Sequence, residues 1–370
     1  MPQLRRQRDP TELKKTLVLK VDPRNPELER IRVAADLIKK GGLVAFPTET
    51  VYGLGADALN PTAVLALFKA KKRPIDNPPI VHVGKTEEVY KLVTEVSPKA
   101  KMLMEKFWPG PLTLIFKRSE IVPKVTVAGL DTIAIRMPKH NVALALLRET
   151  SCPIAAPSAN LAGKPSPTRA EHVLEDLNGR IDAVLDSGQT NIGLESTVLD
   201  LTHEPPQILR PGGTSYENLK QILSDLELHP VAVAEKEVPI KMARSPGVKH
   251  KHYAPRAEVI VVEGDVSVII EKVKELAEQH AQQGLKVGIL ATDETAMYYG
   301  NYVVKSLGGR SNLAAIAKNL FRLLREFDKE DVDVIIAEGV PLQGLGLAVM
   351  NRLRKAAGYR IVKVSSISGC

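Results

Sequence analysis

The stretch that organises this chain is Phe46–Gly55, which has the sequence Phe-Pro-Thr-Glu-Thr-Val-Tyr-Gly-Leu-Gly. A short apolar run, Leu43–Phe46, leads into it and predicts a buried strand. Pro47 has no amide hydrogen to give to a sheet, so the strand should end there. Two threonines and a glutamate follow in one turn, and Gly53 and Gly55 predict positive φ or a ligand close to the backbone. The turn therefore either binds a small polar ligand or satisfies its own backbone groups.

The composition limits the class of protein. A length of 370 residues suits two domains, and 44% hydrophobic with 25% charged residues is typical of a soluble globular protein. No apolar run is long enough to span a membrane, and the basic start Met1–Lys15 lacks the apolar core of a secretory signal. Cys152 and Cys370 are too few for a disulfide framework or a structural zinc site. These features predict a cytoplasmic protein.

The net charge of the chain is +8, which permits an anionic substrate or occasional contact with nucleic acid. Aromatic residues make up only 4%, so there are few platforms on which the bases of single-stranded RNA could stack. An RNA-binding module that uses a basic surface without chemistry is the alternative to an enzyme.

The predicted elements divide the chain into four segments. Residues 1–27 are a basic, proline-bearing lead-in, and residues 28–230 mix strands and helices as in an α+β or mixed α/β domain. Residues 231–256 are polar, contain prolines and show no period, which predicts a linker. Residues 257–370 alternate regularly between strands and helices. This alternation predicts a second, smaller, doubly wound α/β domain.

Cationic and polar residues of the first domain are predicted to gather at the ends of helices and strands. A helix that starts at Asn60-Pro61 should end near Lys69 and place a basic run just beyond it, namely Lys71, Lys72 and Arg73. Strand ends and adjacent loops carry a further polar set: Asn77, His82, Arg136, Ser158, Asn160, Ser196 and Arg210. If these strands share one sheet, the set converges on a cleft suited to a nucleoside triphosphate. A solvated helix end and an ordinary strand histidine are the simpler interpretations of the basic run and of His82.

Common catalytic motifs are missing from the sequence. It contains no P-loop, and no Ser/His/Asp set stands out by its spacing. His250 and His252 alone are weak evidence for a metal site. The segment Gly344–Gly346 resembles the start of a dinucleotide fingerprint, but Val349 stands at the third glycine position.

Three motifs occur in an order that resembles a known family. They are the Pro47–Gly55 segment, the pair Lys71-x-Arg73 and the pair Ser158-x-Asn160. Together they make the first domain similar to the YrdC/Sua5 family of threonylcarbamoyl-AMP synthases. A related carbamoyl-transfer branch carries zinc-finger cysteines, which the two cysteines of this chain cannot supply.

The rest of the chain resembles the two-domain Sua5 type rather than the single-domain YrdC type. The resemblance rests on Ser245-Pro246-Gly247, on His252–Pro255 and on the α/β tail. It implies a YrdC-like domain built on a twisted mixed sheet with a large basic concave surface. A linker and a Rossmann-like Sua5 domain would follow.

The resemblance also implies a reaction. L-Threonine, bicarbonate and ATP would give threonylcarbamoyl-AMP and pyrophosphate, with Mg²⁺ accompanying ATP and no organic cofactor. Other enzymes would pass the threonylcarbamoyl group to adenosine 37 of ANN-decoding tRNAs, with at most weak tRNA contact by this protein. No protein nucleophile is required, which agrees with the missing triad, so catalysis would consist of positioning and charge stabilisation.

The same resemblance implies roles for individual residues. Threonine would be held by Thr50, His82, Arg136, Ala156 and Ser196. ATP would be surrounded by Lys71, Arg73, Asn77, Thr132, Ser158, Asn160, Ser166, Arg210 and Tyr253. Lys71 and Arg73 would contact the phosphates as catalytic residues, Arg136 suits the threonine carboxylate, and Tyr253 would make the linker a lid. Glu49 has no assigned role, and no protein ligand for a metal is implied.

Overall fold

The computed structural model describes residues 15–238 and 253–365, and these residues form two sheets. The strands of the first sheet are β1 (Leu17–Lys20), β2 (Val44–Phe46), β3 (Gly53–Asp57), β4 (Val81–His82), β5 (Leu112–Lys117), β6 (Thr132–Arg136), β7 (Ile154–Ala155), β8 (Ala183–Asp186), β9 (Thr197–Asp200), β10 (Gln207–Arg210) and β11 (Glu227–Leu228). Their order is β1-β8-β2-β3-β7-β4-β6-β5-β9-β10-β11. Some neighbouring strands pair in parallel and others pair antiparallel. The predicted mixed sheet is confirmed.

Helices cover this sheet. They are α1 (Leu28–Lys39), α2 (Pro61–Lys71), α3 (Val89–Leu92), α4 (Pro98–Phe107), α5 (Asn141–Thr150), α6 (Ala170–Leu177), α7 (Tyr216–Lys220) and α8 (Pro230–Val233), with a 3₁₀ turn at Thr86–Glu88. The start of α2 is confirmed, because the Asn60 side chain accepts hydrogen bonds from the amides of Thr62 and Ala63 at 3.1 and 3.2 Å. The helix runs to Lys71, two residues further than predicted, which places that lysine in the last helical turn.

The two glycines of the organising stretch act through packing. Gly53 and Gly55 lie in β3, which pairs antiparallel with β2, and neither has positive φ. A Cβ atom on Gly55 would meet Ile154 Cγ2 at 2.8 Å and Phe46 Cε1 at 2.9 Å. The expectation of positive φ is therefore wrong. At Gly55 the chain needs glycine because β3 is pressed between two bulky side chains.

The second sheet has five parallel strands: β12 (Glu258–Gly264), β13 (Val287–Ala291), β14 (Val303–Ser306), β15 (Val334–Glu338) and β16 (Ile361–Val364). Their order is β14-β13-β15-β12-β16. The helices are α9 (Val266–Gln282), α10 (Leu313–Phe327) and α11 (Leu345–Ala356), with a 3₁₀ turn at Ala296–Tyr299. One face of the sheet packs on α9, and the other packs on α10 and α11. The predicted doubly wound domain is confirmed.

One apolar cluster joins the two domains. Val51, Leu194 and Tyr253 pack with residues of α10 and α11 in a single buried cluster. The predicted linker began at residue 231, but α8 is helical there and the Ala232 carbonyl accepts a hydrogen bond from Asn351 Nδ2 at 2.9 Å. The linker motifs at 245–247 and 250–252 lie outside the described residues. In the described parts of the chain, no helix is long and apolar enough to cross a membrane.

Candidate active site

A cavity lies where several strands of the first sheet end. β4 brings His82 and β6 brings Arg136, and the turns after β2 and β7 add hydroxyls. The described residues that line the cavity are Thr48, Thr50, Val51, Gly53, Arg73, Ile80, His82, Arg136, Ala156, Pro157, Ser158, Asn160, Lys164, Ser166, Glu195, Ser196, Arg210 and Tyr253. The predicted convergence of strand ends is therefore present, and cations outnumber anions around the cavity.

The turn that follows β2 forms one wall. Thr48 Oγ1 donates to the Val51 carbonyl at 2.6 Å and lies 2.8 Å from Thr50 Oγ1. The amide of Thr50 donates back to Thr48 Oγ1 at 3.1 Å. Thr48 thus fixes the turn internally, as in the simpler interpretation, while Thr50 faces Arg136. The simpler interpretation is confirmed for Thr48, while ligand binding by Thr50 stays a prediction.

Glu49 and Arg136 form a buried ion pair. Arg136 Nη2 lies 2.6 Å from Glu49 Oε2, and the two side chains are 4% and 6% exposed. Arg136 Nη1 donates to Thr50 Oγ1 at 2.9 Å, and Nε donates to the Gly110 carbonyl at 3.2 Å. The sequence left Glu49 without a role, and the structure gives it one. It holds the guanidinium that orients Thr50.

His82 is a neutral histidine at the floor of the cavity. Burial, with a further contribution from the nearby charge of Arg136, lowers the pKa of His82 to about 3. Its Nδ1 lies 3.2 Å from the Ile80 carbonyl, which favours a proton on Nδ1 and leaves Nε2 as an acceptor. A neutral imidazole can accept a hydrogen bond from a substrate without adding charge.

The shifted pKa of His82 predicts a pH-dependent stability. Between about pH 6.5 and 3 the unfolded histidine binds a proton that the folded one does not. The free energy of unfolding should therefore fall as the pH falls through this window, by up to about 1.4 kcal/mol per pH unit. Chemical denaturation of the wild type and His82→Gln at several pH values measures this slope. The slope should be smaller in His82→Gln and unchanged in the exposed control His203→Gln, and equal slopes in all three would contradict the assignment.

Ser196 and Arg210 lie together on the opposite side of the cavity. Arg210 donates from Nε and Nη2 to the Ser196 carbonyl at 3.2 and 3.0 Å, and from Nη2 to Ser196 Oγ at 3.3 Å. Thr113 Oγ1 lies 2.7 Å from the same hydroxyl. Burial lowers the pKa of Arg210, and Tyr253 and Glu195 oppose the shift. Arg210 is thus a fixed, buried cation at the cavity wall.

Lys71 lies outside the cavity. Because α2 extends to this residue, its ammonium is buried and donates to the carbonyls of Ser158 and Asn160. Burial, reinforced by the charge of Arg73, holds the pKa of Lys71 well below its usual value. The geometry does not support the expected direct contact with phosphates. It shows a side chain that braces the turn carrying Ser158 and Asn160.

Two further predicted ATP contacts do not reach the cavity lining. The backbone carbonyl of Asn77 accepts from Arg73 Nε at 3.0 Å, so Asn77 holds the arginine rather than lining the cavity. Thr132 begins β6 and Arg136 ends it, which separates them by about 13 Å at the rise of a strand. The remaining predicted residues Ala156, Ser158, Asn160 and Ser166 do line the cavity. The Ala156 amide is engaged by the Ile80 carbonyl at 2.8 Å.

Sequence reasoning missed Glu195 and Lys164. Glu195 Oε1 accepts from Ser166 Oγ at 2.6 Å, and Lys164 Nζ lies 2.8 Å from Asp176 Oδ1. Glu195 directly precedes the predicted Ser196, and this adjacency was the only local signal for it. Lys164 lies in a polar loop with nothing in its spacing to distinguish it.

Tyr253 closes the cavity on the side of the second domain. It is 4% exposed, and its ring stacks on Phe321 of α10 with a centroid distance of 5.1 Å. Burial, and then the charge of Glu195, raises the pKa of Tyr253 to about 12, so its hydroxyl stays protonated. The cavity is partly open to solvent, and its inner volume of about 50 Å³ holds a few water molecules.

No residue set in the described parts of the chain resembles a metal centre. Within residues 15–238 and 253–365, no group of three or more His, Cys, Asp or Glu side chains could hold a metal ion. The carboxylate in the lining, Glu195, is already engaged by Ser166 and Arg352.

The fold and the cavity define a class of protein. It is a two-domain α/β protein with a cation-rich cavity at the strand ends of its first sheet. Residues 36–212 match a family model described as "Telomere recombination", for Sua5, YciO and YrdC, and residues 214–358 match one described as "Threonylcarbamoyl-AMP synthase, C-terminal domain".

Individual relatives agree with the family models. The threonylcarbamoyl-AMP synthase of Pyrococcus abyssi is 49% identical over 94% of this chain and 100% of its own length. The Bacillus subtilis protein of the same name is 48% identical over 90% of this chain and 94% of its own. The crystal structure of P. abyssi Sua5 complexed with L-threonine superposes with a TM-score of 0.90 and covers 94% of this chain and 100% of that one. This chain belongs to the two-domain Sua5 family of threonylcarbamoyl-AMP synthases.

Proposed function

We propose that this protein converts L-threonine, bicarbonate and ATP into threonylcarbamoyl-AMP, pyrophosphate and water. One observation carries the proposal: a single buried cavity joins a hydroxyl-rich turn with a paired arginine to two further buried arginines. The hydroxyl-rich turn with Arg136 suits an amino acid, and Arg73 and Arg210 suit a triphosphate. The P. abyssi relative with bound L-threonine supports the amino-acid half.

Thr50, His82, Arg136, Ala156 and Ser196 form the threonine half in this proposal. Arg136 donates hydrogen bonds to Thr50 and Gly110 and forms an ion pair with Glu49 through Nη2, so N–H groups of the guanidinium remain for a carboxylate. Neutral His82 accepts a hydrogen bond from the threonine amine or hydroxyl. The neutral amine adds to the carbon of bicarbonate, water leaves, and a carbamate forms. If CO₂ is the species that reacts, the amine loses a proton instead and no water is released.

Arg73, Arg210 and the cavity-facing hydroxyls form the ATP half. Arg73 is held by the Asn77 and Pro78 carbonyls, at 3.0 and 3.4 Å, so its guanidinium is positioned before ATP binds. A carbamate oxygen attacks the α-phosphorus, the bond to the bridging oxygen breaks, and pyrophosphate leaves with the electron pair. The arginines stabilise the negative charge that builds up in this step. No protein ligand is assigned to Mg²⁺, which would be held by the phosphates of ATP and would supply additional neutralisation of their charge.

The decisive experiment is pyrophosphate release with each substrate omitted in turn. Release that requires threonine, bicarbonate and ATP together supports the proposal. Release from ATP alone at the same rate would show a phosphohydrolase instead. The adenylate product should be identified by mass spectrometry.

We propose further that the adenylate passes to a tRNA threonylcarbamoyl-transfer complex that modifies adenosine 37, and that the reaction takes place in the cytoplasm. The RNA-binding alternative gains no support from the site, because Arg73, Arg136 and Arg210 are buried and cannot track an RNA backbone. A steep salt dependence of RNA affinity without turnover would favour that alternative.

Tyr253 should act as a movable wall. Tyr253→Ala removes the ring that forms one wall of the cavity. Water should then enter the site during the reaction, so we expect impaired turnover. Pyrophosphate release and ATP hydrolysis without threonine should be measured side by side, since a leaky site raises the ratio of the second to the first. Tyr253→Phe keeps the ring and serves as the control. A rate for Tyr253→Ala equal to that of the wild type would rule out the wall function.

A further inference from the structure

The second domain contributes a buried arginine that reaches the cavity wall. Arg352 lies on α11, and its side chain is fully buried. Its Nε donates to Glu195 Oε2 at 3.0 Å, and its Nη1 donates to the Pro211 carbonyl at 2.5 Å. Both acceptors belong to the first domain, so this guanidinium crosses the domain boundary.

Glu195 carries the contact into the cavity. One carboxylate oxygen pairs with Arg352, and the other accepts the hydrogen bond from Ser166 Oγ at 2.6 Å. Glu195 and Ser166 both line the cavity. A hydroxyl that donates to a fixed carboxylate must present its lone pairs in one direction. Arg352 therefore determines how Ser166 faces a ligand.

Arg352 also supports the aromatic wall. Its Cζ lies 5.7 Å from the centroid of the Tyr253 ring, within the range of a cation–π contact. The same ring stacks on Phe321. One side chain thus holds a polar and an aromatic part of the cavity at once.

We propose that Arg352 is a positioning residue that orders Glu195, Ser166 and Tyr253 around the nucleotide. This inference rests on the proposed function of the cavity and gives the second domain a part in the reaction. A purely stabilising role is the weaker explanation, because buried ion pairs are often no more stabilising than apolar side chains of similar volume. Such a pair does fix the geometry of the groups it joins.

The charges around Glu195 supply a measurable signature. Burial by itself would raise the pKa of Glu195, but Arg352 and Arg210 outweigh it and lower the pKa to about 2. The charged and titratable groups that face it are Arg352, Arg210, Lys355 and Tyr253. Without Arg352 the pKa of Glu195 rises, and a protonated Glu195 carries an O–H donor that competes with its role as the acceptor for Ser166. The activity of an Arg352 variant should therefore decline at a higher pH than that of the wild type.

The test uses the full chain with Arg352→Met, Arg352→Lys and the matched control Arg354→Met. Arg354 lies two residues further along α11, is also buried, and pairs with Glu263 of the second domain at 2.7 Å. It also contacts Val233 and Glu235, but none of its partners lines the cavity. Pyrophosphate release gives kcat and KM for ATP and threonine from pH 5.5 to 8.5. Calorimetry gives ATP affinity without turnover, and thermal unfolding gives stability.

For Arg352→Met we expect kcat/KM for ATP to fall about tenfold or more and the threonine KM to stay within about twofold. The loss relative to the wild type should deepen as the pH falls toward 5.5, because Glu195 without its counter-ion begins to bind a proton. Arg352→Lys should recover part of the loss. Arg354→Met should lose stability, while its kcat/KM for ATP and its pH dependence should stay like those of the wild type. If Arg352→Met does not fold, the double variant Glu195→Gln/Arg352→Met, which removes both charges, should show the same loss for ATP.

Two outcomes would overturn the inference and can be told apart from failure of the proposed function. A kinetic profile of Arg352→Met that matches Arg354→Met would reduce Arg352 to a stabilising residue. A wild type that binds ATP but releases no pyrophosphate would contradict the proposed reaction. The positioning role of Arg352 would then be tested by comparing the calorimetric ATP affinities of the wild type and Arg352→Met. Equal ATP affinities of wild type and Arg352→Met would contradict the positioning role in that case.

Discussion

Replacement of Arg73 by alanine should reduce pyrophosphate release by about 10²–10³-fold, the usual cost of removing one preorganised donor from a transition state. Arg73 lines the cavity, is buried, and is anchored through Nε and Nη2 to two backbone carbonyls. Among the described residues its Nη1 makes no hydrogen bond, so donors remain for a phosphate. Burial lowers its pKa only to about 10, so it is charged at neutral pH.

The neighbouring residue provides the control for Arg73. Lys72 is exposed and has φ 51°, a conformation that asparagine tolerates, so Lys72→Asn removes one charge beside the site with little strain. Its turnover should stay close to that of the wild type. Arg73→Lys keeps a cation without the planar fork and should fall between the two. Near-normal release by Arg73→Ala, in a protein that unfolds at the wild-type temperature, would remove the phosphate role.

The second domain could be predicted from sequence because its pattern is local. Its strands are short apolar runs that mostly alternate with long helices carrying one apolar face, as for β12 (Glu258–Gly264) and α9 (Val266–Gln282). The hairpin of β2 and β3 was missed, since Gly53-Leu54-Gly55-Ala56 has little strand propensity by itself. That strand forms because it packs against Phe46 and Ile154, and no local sequence pattern predicts this packing.

The site could be predicted only in part for a similar reason. Polar residues at strand ends were visible in the sequence, and the sheet brings most of them to one cavity. Lys71 was misplaced because two additional helical residues turn its side chain from solvent into the protein. Arg352 had no signal at all, because its partner Glu195 is 157 residues away in sequence. Contacts between domains depend on which surfaces of the two folded domains pack together, and a single sequence does not predict this.

Replacement of Arg136 by methionine should have the second large effect, on both threonine binding and stability. Loss of a charge-assisted contact to the threonine carboxylate corresponds to about 1.5–3 kcal/mol, or a rise of about 10- to 150-fold in the threonine KM. The same change leaves Glu49 buried without its counter-ion, which typically costs about 3–5 kcal/mol of stability. Pyrophosphate release against threonine concentration and chemical denaturation measure the two effects separately.

The double variant Glu49→Gln/Arg136→Met separates the two roles of Arg136. It removes both charges of the buried pair, so most of the lost stability should return, while the threonine KM should stay raised because no cation faces the carboxylate. Thr50→Val removes only the hydroxyl that Arg136 orients at 2.9 Å and should raise the threonine KM by a smaller factor. A double variant that regains the wild-type threonine KM would mean that Arg136 serves only to neutralise Glu49. Threonine recognition would then have to rest on Thr50, His82 and Ser196 alone.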